Sequence, residues 1–204
     1  MAYPTIDAPY GFRPVNLLGG QVYAGSTRQM AIAGAHGTAI FFGDIVIMSS
    51  NGCINNATLT DSAVQVAGIF MGCSYINSSS QRVYGQYFPA TTAGTVDTSS
   101  SITAYVADDP DLIMKVAVVS GTTVMSGTNR AGLVGGTAAW VANLGSTVTG
   151  DSKQAILSTT GTATTLPLKV IDVVADTVNA SGSFTEVLVT WTGLVHMYRG
   201  AAGI

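Results

Sequence analysis

The sequence predicts a mainly β fold: a single antiparallel β-sandwich or barrel-like domain behind an extended N-terminal arm. Two features carry the β reading. Short runs rich in Ile, Val, Phe and Tyr recur along the chain, punctuated by Gly, Ser and Asn clusters of the kind that close turns. Helical periodicity is scarce: Asp151–Ser158 (DSKQAILS) is the one short helix expected, with Asp151 as its N-cap. A third feature predicts the arm. Pro4, Pro9 and Pro14 fix φ and remove backbone donors among the large apolar side chains Tyr3, Tyr10, Phe12, Val15, Leu17, Leu18 and Tyr23. The division expected is therefore an arm over residues 1–24 and a β-rich domain over 25–204.

After the arm, TRQMAIA (Thr27–Ala33) reads as a strand. GTAIFFGDIVIMSS (Gly37–Ser50) follows, broken at Gly43-Asp44. Asn51-Gly52 then predicts a two-residue type I′ hairpin returning through CINNA, because both central positions of that turn need φ > 0. VQVAGIFMGCSYIN (Val64–Asn77) and QRVYGQYFPA (Gln81–Ala90) flank the turn-like Ser78-Ser79-Ser80. Two extended pieces lie on either side of Asp108-Asp109-Pro110. From Ser120 to Gly161 the pattern weakens into Gly, Thr and Ala. It recovers in TLPLKVIDVV and in SFTEVLVTWTGLVHMYR, where Val187, Val189 and Trp191 alternate with Leu188, Thr190 and Thr192. No repeat, heptad or second domain is evident.

Composition narrows the function. Only 9% of the 204 residues are charged, and 47% are hydrophobic. Such a surface is made of small and apolar groups and favours association, so the chain is expected to work inside an assembly. The net charge is −3 and the eight basic residues are scattered singly, which argues against a nucleic-acid partner. Lys115 and the Gly, Ser and Thr clusters interrupt every candidate membrane span, and no basic region leads into an apolar core at the start. Synthesis in cytoplasm, no membrane partner and free thiols at Cys53 and Cys73 are the expectations.

Catalytic residue types are thin. His36 and His196 are the only histidines, Glu186 is the only glutamate, and neither a GxSxG elbow nor a phosphate-binding glycine motif occurs. Asp108-Asp109-Pro110-Asp111 is the densest charge. Carboxylates on a tight loop suit calcium, but the spacing is not that of an EF-hand, and Asp before Pro also initiates turns, which is the reading taken. No catalytic, cofactor or metal residue is assigned.

DAPYGFRPVNLLGG, the Arg28-Gln29-Met30-Ala31-Ile32-Ala33 strand, GTAIFFGDIVIM, NGCI, VAGIFMGCSYINSSSQRVYGQYFPA and TAYVADDPDLIMKVAV together resemble structural proteins of tailed bacteriophages, especially marine ones. The likeness runs from Asp7 to Val119. It implies a capsid decoration (cement) protein: β-rich, homotrimeric, bound to the major capsid protein on the outer surface of an icosahedral shell, and made in the host cytoplasm. The chain departs from a minimal decoration protein in its length and in the Ser120–Gly161 region.

The arm fits that expectation physically. Burying its large side chains returns ~1.5–3 kcal/mol each, while ordering it costs ~1–2 kcal/mol per residue. Added to a sheet edge of a neighbouring subunit or capsid protein, it would gain main-chain hydrogen bonds as well. Tyr10, Gly11, Phe12, Arg13, Pro14, Val15, Leu17 and Leu18 are the docking residues expected, and removal of residues 1–24 is expected to leave a folded domain. The alternative for the arm is that it wraps its own barrel; the alternatives for function are another virion component, such as a tail or head-fibre adhesin, and a hydrolytic enzyme using Asp108, Asp109 or Asp111 with His36 or His196.

Overall fold

Pairing partners, more than strand propensity, decide how this chain closes on itself. The computed structural model describes residues 9–57, 65–120, 123–124, 132–158, 161, 166–177, 185–193 and 195–199. Its strands are β1 (Arg13–Leu17), β2 (Arg28–Ile32), β3 (Ile45–Met48), β4 (Ile54–Asn56), β5 (Val66–Ile76), β6 (Arg82–Gly85), β7 (Ile102–Ala107), β8 (Leu112–Ser120), β9 (Thr123–Val124), β10 (Thr137–Ala138), β11 (Trp140–Val141), β12 (Ala155–Leu157), β13 (Leu168–Val173) and β14 (Glu186–Trp191). The mainly β, barrel-like class expected from the sequence is what the chain adopts.

Two barrels form. In the first, the order β3-β4-β2-β7-β5 closes into a ring because β5 pairs back onto β3, and β6 extends β5 beyond it. In the second, the order is β10-β13-β14-β8-β12-β11. Only Ala139 separates β10 from β11, and its carbonyl accepts from Leu157 N, so one kinked stretch pairs with β13 on one side and β12 on the other. Most ladders are antiparallel; β2–β4 and β8–β12 are parallel.

Side-chain alternation then fuses the barrels. Val46, Ala67, Phe70, Ala104 and Val106 point into the first barrel. Their neighbours Ile45, Val66, Ile69 and Ala107 join Met114, Val116, Val187, Val189 and Trp191 in the core of the second. Successive residues on β3, β5 and β7 thus serve different cores, as the period of two requires. The Val187/Val189/Trp191 alternation read from the sequence is the inward row of β14.

Two local expectations are corrected. The Asn51-Gly52 hairpin joins β3 to β4, but Gly52 alone has positive φ (+76°). Gly52 N donates to Ser49 O and Ser49 N to Cys53 O, which is a three-residue loop: a type I turn followed by a left-handed glycine. Asn51 instead uses its side-chain Oδ1 to accept from Cys53 N, 3.0 Å away. The DSKQAILS helix does not form either. Ala155–Leu157 is strand β12, with Ile156 and Leu157 in register with Val118 and Val119 of β8. Burial of Ala155 and Ile156 against the barrel overrides a weak local helix preference.

Candidate docking surface

The N-terminal segment, from Pro9 on, is not a separate arm. β1 adds to the free half of the β8 edge, pairing Arg13 with Lys115 and Leu17 with Leu112, with a bulge at Val15. Bulges accommodate proline in a ladder, and Pro14 sits at this one. The chain then doubles back: Leu17 N bonds Gln21 O, Tyr23 N bonds Val15 O, and Asn16 bridges Val22. The result is a hairpin over Pro9–Tyr23, turned by Gly19-Gly20. Residues 1–8 lie outside the described residues, so the part of the arm that they form is not placed.

The first half of the hairpin faces inward. Phe12 is fully buried in the core shared by both barrels, and its N–H donates to Gly43 O at 2.9 Å. Gly11 crosses there at φ +79°; a Cβ on it would lie 2.5 Å from the Cβ of Ser152, so only glycine fits. Tyr10 donates its hydroxyl to Glu186, which also receives Lys115 Nζ at 3.0 Å. Burial first, and the Glu186 carboxylate second, push the Tyr10 pKa upward, so the phenol stays a neutral donor. Arg13 pairs with Asp151 at 2.7 Å. Tyr10, Gly11, Phe12 and Arg13 therefore hold the segment to its own barrels, and deletion of residues 1–24 would open the shared core rather than release a tether. The reason is geometric: the β8 edge beside β12 offers this chain's own strand the same main-chain bonds that a partner would.

The second half faces outward. Val15, Leu18 and Val22 are 36%, 46% and 76% exposed. Among the described residues Tyr84, Leu144, Val148 and Tyr198 are also exposed, but the hairpin groups three bare apolar side chains on one element. Of the docking residues expected, Val15 and Leu18 stand on this surface, and Leu17 is half-buried against the core below it. Val22 was not foreseen. The signal for it is LLGGQVY, a glycine pair between two apolar runs, which is itself a hairpin pattern.

Between the hairpin and the body runs a groove of about 430 Å³, with Leu17, Val22 and Tyr23 on one wall and Arg28, Asp108 and Tyr198 on the other. Its floor is the acidic corner, which carries the chain from β7 in the first barrel to β8 in the second. Asp111 N donates to Asp109 Oδ1 and Leu112 N to Asp109 O, the turn expected of Asp-Asp-Pro-Asp. Asp108 accepts from Arg28 and from the Tyr198 hydroxyl, and Asp111 accepts from Arg199. These carboxylates are thus engaged by arginines. No group of three or more potential metal ligands occurs among the described residues.

The histidines are far apart in role. His36 Nε2 lies 3.0 Å from Asn56 Oδ1. His196 is fully buried against Trp191 and Tyr198, and burial lowers its pKa to about 4. Tyr198 touches both His196 and Asp108, so the structure does bring these two of the weighed catalytic candidates to one corner, with the histidine neutral and sealed from solvent. Both cysteines are free thiols, and burial pushes Cys73 up to about 12.

A second, smaller cavity of about 180 Å³ lies over the seam between the barrels, lined by Phe41, Asp44, Asn56, Leu144 and Gln154 among others. Three of its polar side chains are already engaged: Asp44 accepts from Phe41 N, Gln154 from Ile45 N, and Asn56 donates to Ala39 O.

No family model, curated protein or solved structure matches this chain.

Proposed function

We propose that the chain is a virion structural protein of a tailed bacteriophage, a cement protein that binds the outer face of the icosahedral shell and stabilises it. The observation that carries this reading is the grouping of Val15, Leu18 and Val22, three exposed apolar side chains on one hairpin. A monomer gains nothing from such a surface, whereas a lattice partner removes it from water at roughly 25 cal/mol per Å². The phage-like motifs between Asp7 and Val119 and the low charge of the chain support the same reading. The partners proposed are the major capsid protein and further copies of the chain in a trimer. Tyr10–Arg13 act by fixing the hairpin's position, and Val15, Leu18 and Val22 make the contact.

Sedimentation of expanded, undecorated shells mixed with the protein tests this. The intact chain should co-sediment with shells, and the double substitution Leu18→Asp with Val22→Asp should abolish co-sedimentation. Both positions are exposed, so circular dichroism should report an unchanged fold. A folded double variant that decorates shells as well as the parent would remove the hairpin from the interface.

A further inference from the structure

The smaller cavity, over the seam between the barrels, leaves buried hydrogen-bonding capacity unused. Its chemistry begins in the turn Phe41-Phe42-Gly43-Asp44-Ile45, where Gly43 at φ +92° swings the chain round and Asp44 N donates to Phe41 O. Asp44 is 3% exposed, its carboxylate accepts from Phe41 N at 2.8 Å and from Ser152, and no cation pairs with it among the described residues. The next residue, Ile45, donates its N–H to Gln154 Oε1 at 2.9 Å. That bond fixes which way the Gln154 amide points, because only its oxygen can accept. Gln154 is also 3% exposed and lines the cavity, yet its Nε2 has no hydrogen-bond partner among the described residues. With Oε1 held on the backbone, the amide nitrogen is the polar end left for the cavity. Two N–H donors in so buried a side chain are costly to leave unmatched.

We propose that this cavity is a binding site for a primary carboxamide, whose carbonyl accepts from Gln154 Nε2 and whose N–H donates to the Asp44 carboxylate. The two protein groups are seated on backbone N–H groups of one turn, Phe41 and Ile45, so they lie within reach of one small ligand. Its alkyl part meets Ala57 inside and Leu144 at the rim, the latter 76% exposed. Complementarity excludes simple ions. An anion would suit the Gln154 donors but would face the Asp44 charge, which is present above about pH 6 because burial raises that carboxyl to about 6. An ammonium would suit Asp44 but would press on the Gln154 N–H groups. A neutral group with an acceptor beside a donor satisfies both. Size agrees: about 180 Å³ is the share of about six waters, enough for an amide with a short alkyl tail and too little for a nucleoside. The carboxamide is that of a free small amide or of a glutamine side chain, and neither depends on the capsid reading.

The probe is propionamide, titrated near neutral pH into isotope-labelled protein and followed in amide proton–nitrogen spectra. The Gln154 side-chain pair, identified by its loss in Gln154→Glu, should shift together with Ile45 N–H and saturate. Propionate, propylammonium and butanone each lack part of the donor–acceptor pair and should bind about tenfold more weakly or worse. Gln154→Glu keeps an acceptor for Ile45 N and removes the donors, so Ile45 N–H should no longer respond while the rest of the spectrum stays that of the parent. The comparison of ligands on the parent stands by itself if that variant does not fold. N-acetylglutamine methylamide separates the sources: binding as tight as that of propionamide assigns the site to a glutamine side chain of a partner chain, and exclusion assigns it to free amides. Parent signals of Gln154 and Ile45 that do not move with propionamide, or butanone or propionate bound as tightly, would overturn the proposal.

Discussion

The guanidinium of Arg13 lies 2.7 Å from the Asp151 carboxylate and 4.2 Å from the centre of the Phe42 ring. One side chain thereby ties the N-terminal strand to both barrels. Arg13→Ala should destabilise the protein by about 1–2 kcal/mol, the sum of a partly exposed ion pair and a cation–π contact. Arg13→Lys should recover only part of this, because an ammonium keeps the charge but not the planar fork. Urea denaturation midpoints of the three proteins measure both effects, and equal midpoints would contradict them.

Phe12→Ala should cost more, about 3–5 kcal/mol, since it empties a fully buried site shared by two barrels. The loss should show as a lower unfolding midpoint in the protein by itself, with no partner present. A stability change below that of Arg13→Ala would mean that Phe12 is not part of the core.

Much of the fold was legible because local chemistry and tertiary structure agree. The Asn51-Gly52 turn, the Asp108–Asp111 corner and the alternation of β14 all read correctly as elements, although the turn type did not. What could not be read were pairings between distant, weak segments. Closure of the first barrel depends on β3 meeting β5, and closure of the second on the two-residue strands β10 and β11. Two-residue strands have no periodicity to detect. The arm failed as an expectation for a related reason: its sequence shows that it needs a sheet edge, but not whose edge. For the surface, Val15 and Leu18 were legible as apolar groups on a proline-rich segment, whereas Val22 needed the Gly19-Gly20 pair to be read as a turn, which its bridge to Asn16 makes plain.

Gly52 turns through φ +76° with nothing within reach of a Cβ, so a side chain there meets no clash, only backbone strain. Gly52→Val should cost about 1–2 kcal/mol, and Gly52→Asn distinctly less, because asparagine tolerates the left-handed region. Thermal unfolding of the pair checks this; an equal loss for both would show that the turn's backbone is not the cause.

Two buried groups should act on stability with opposite sign between pH 4 and 6.5. Burial lowers His196 from its ordinary 6.5 to about 4, so the unfolded chain takes up that proton first, and this contribution to stability is lost as pH falls through that interval. Burial raises Asp44 from 3.8 to about 6, against hydrogen bonds from Ser152 and Phe41 N, so its contribution is present at low pH and lost as pH rises toward 6. The parent should therefore show a shallow profile in this range. His196→Gln should become more stable as pH drops from 6 to 4, and Asp44→Asn less stable. Denaturation at a series of pH values measures all three, and parallel profiles would contradict the assignment.

Electron microscopy of expanded phage shells incubated with the protein reads the docking geometry directly. The result predicted is a regular array of this subunit on the outer surface, with the hairpin bearing Val15, Leu18 and Val22 against the major capsid protein. Shells left bare at saturating protein, or an array in which that hairpin points to solvent, would contradict it.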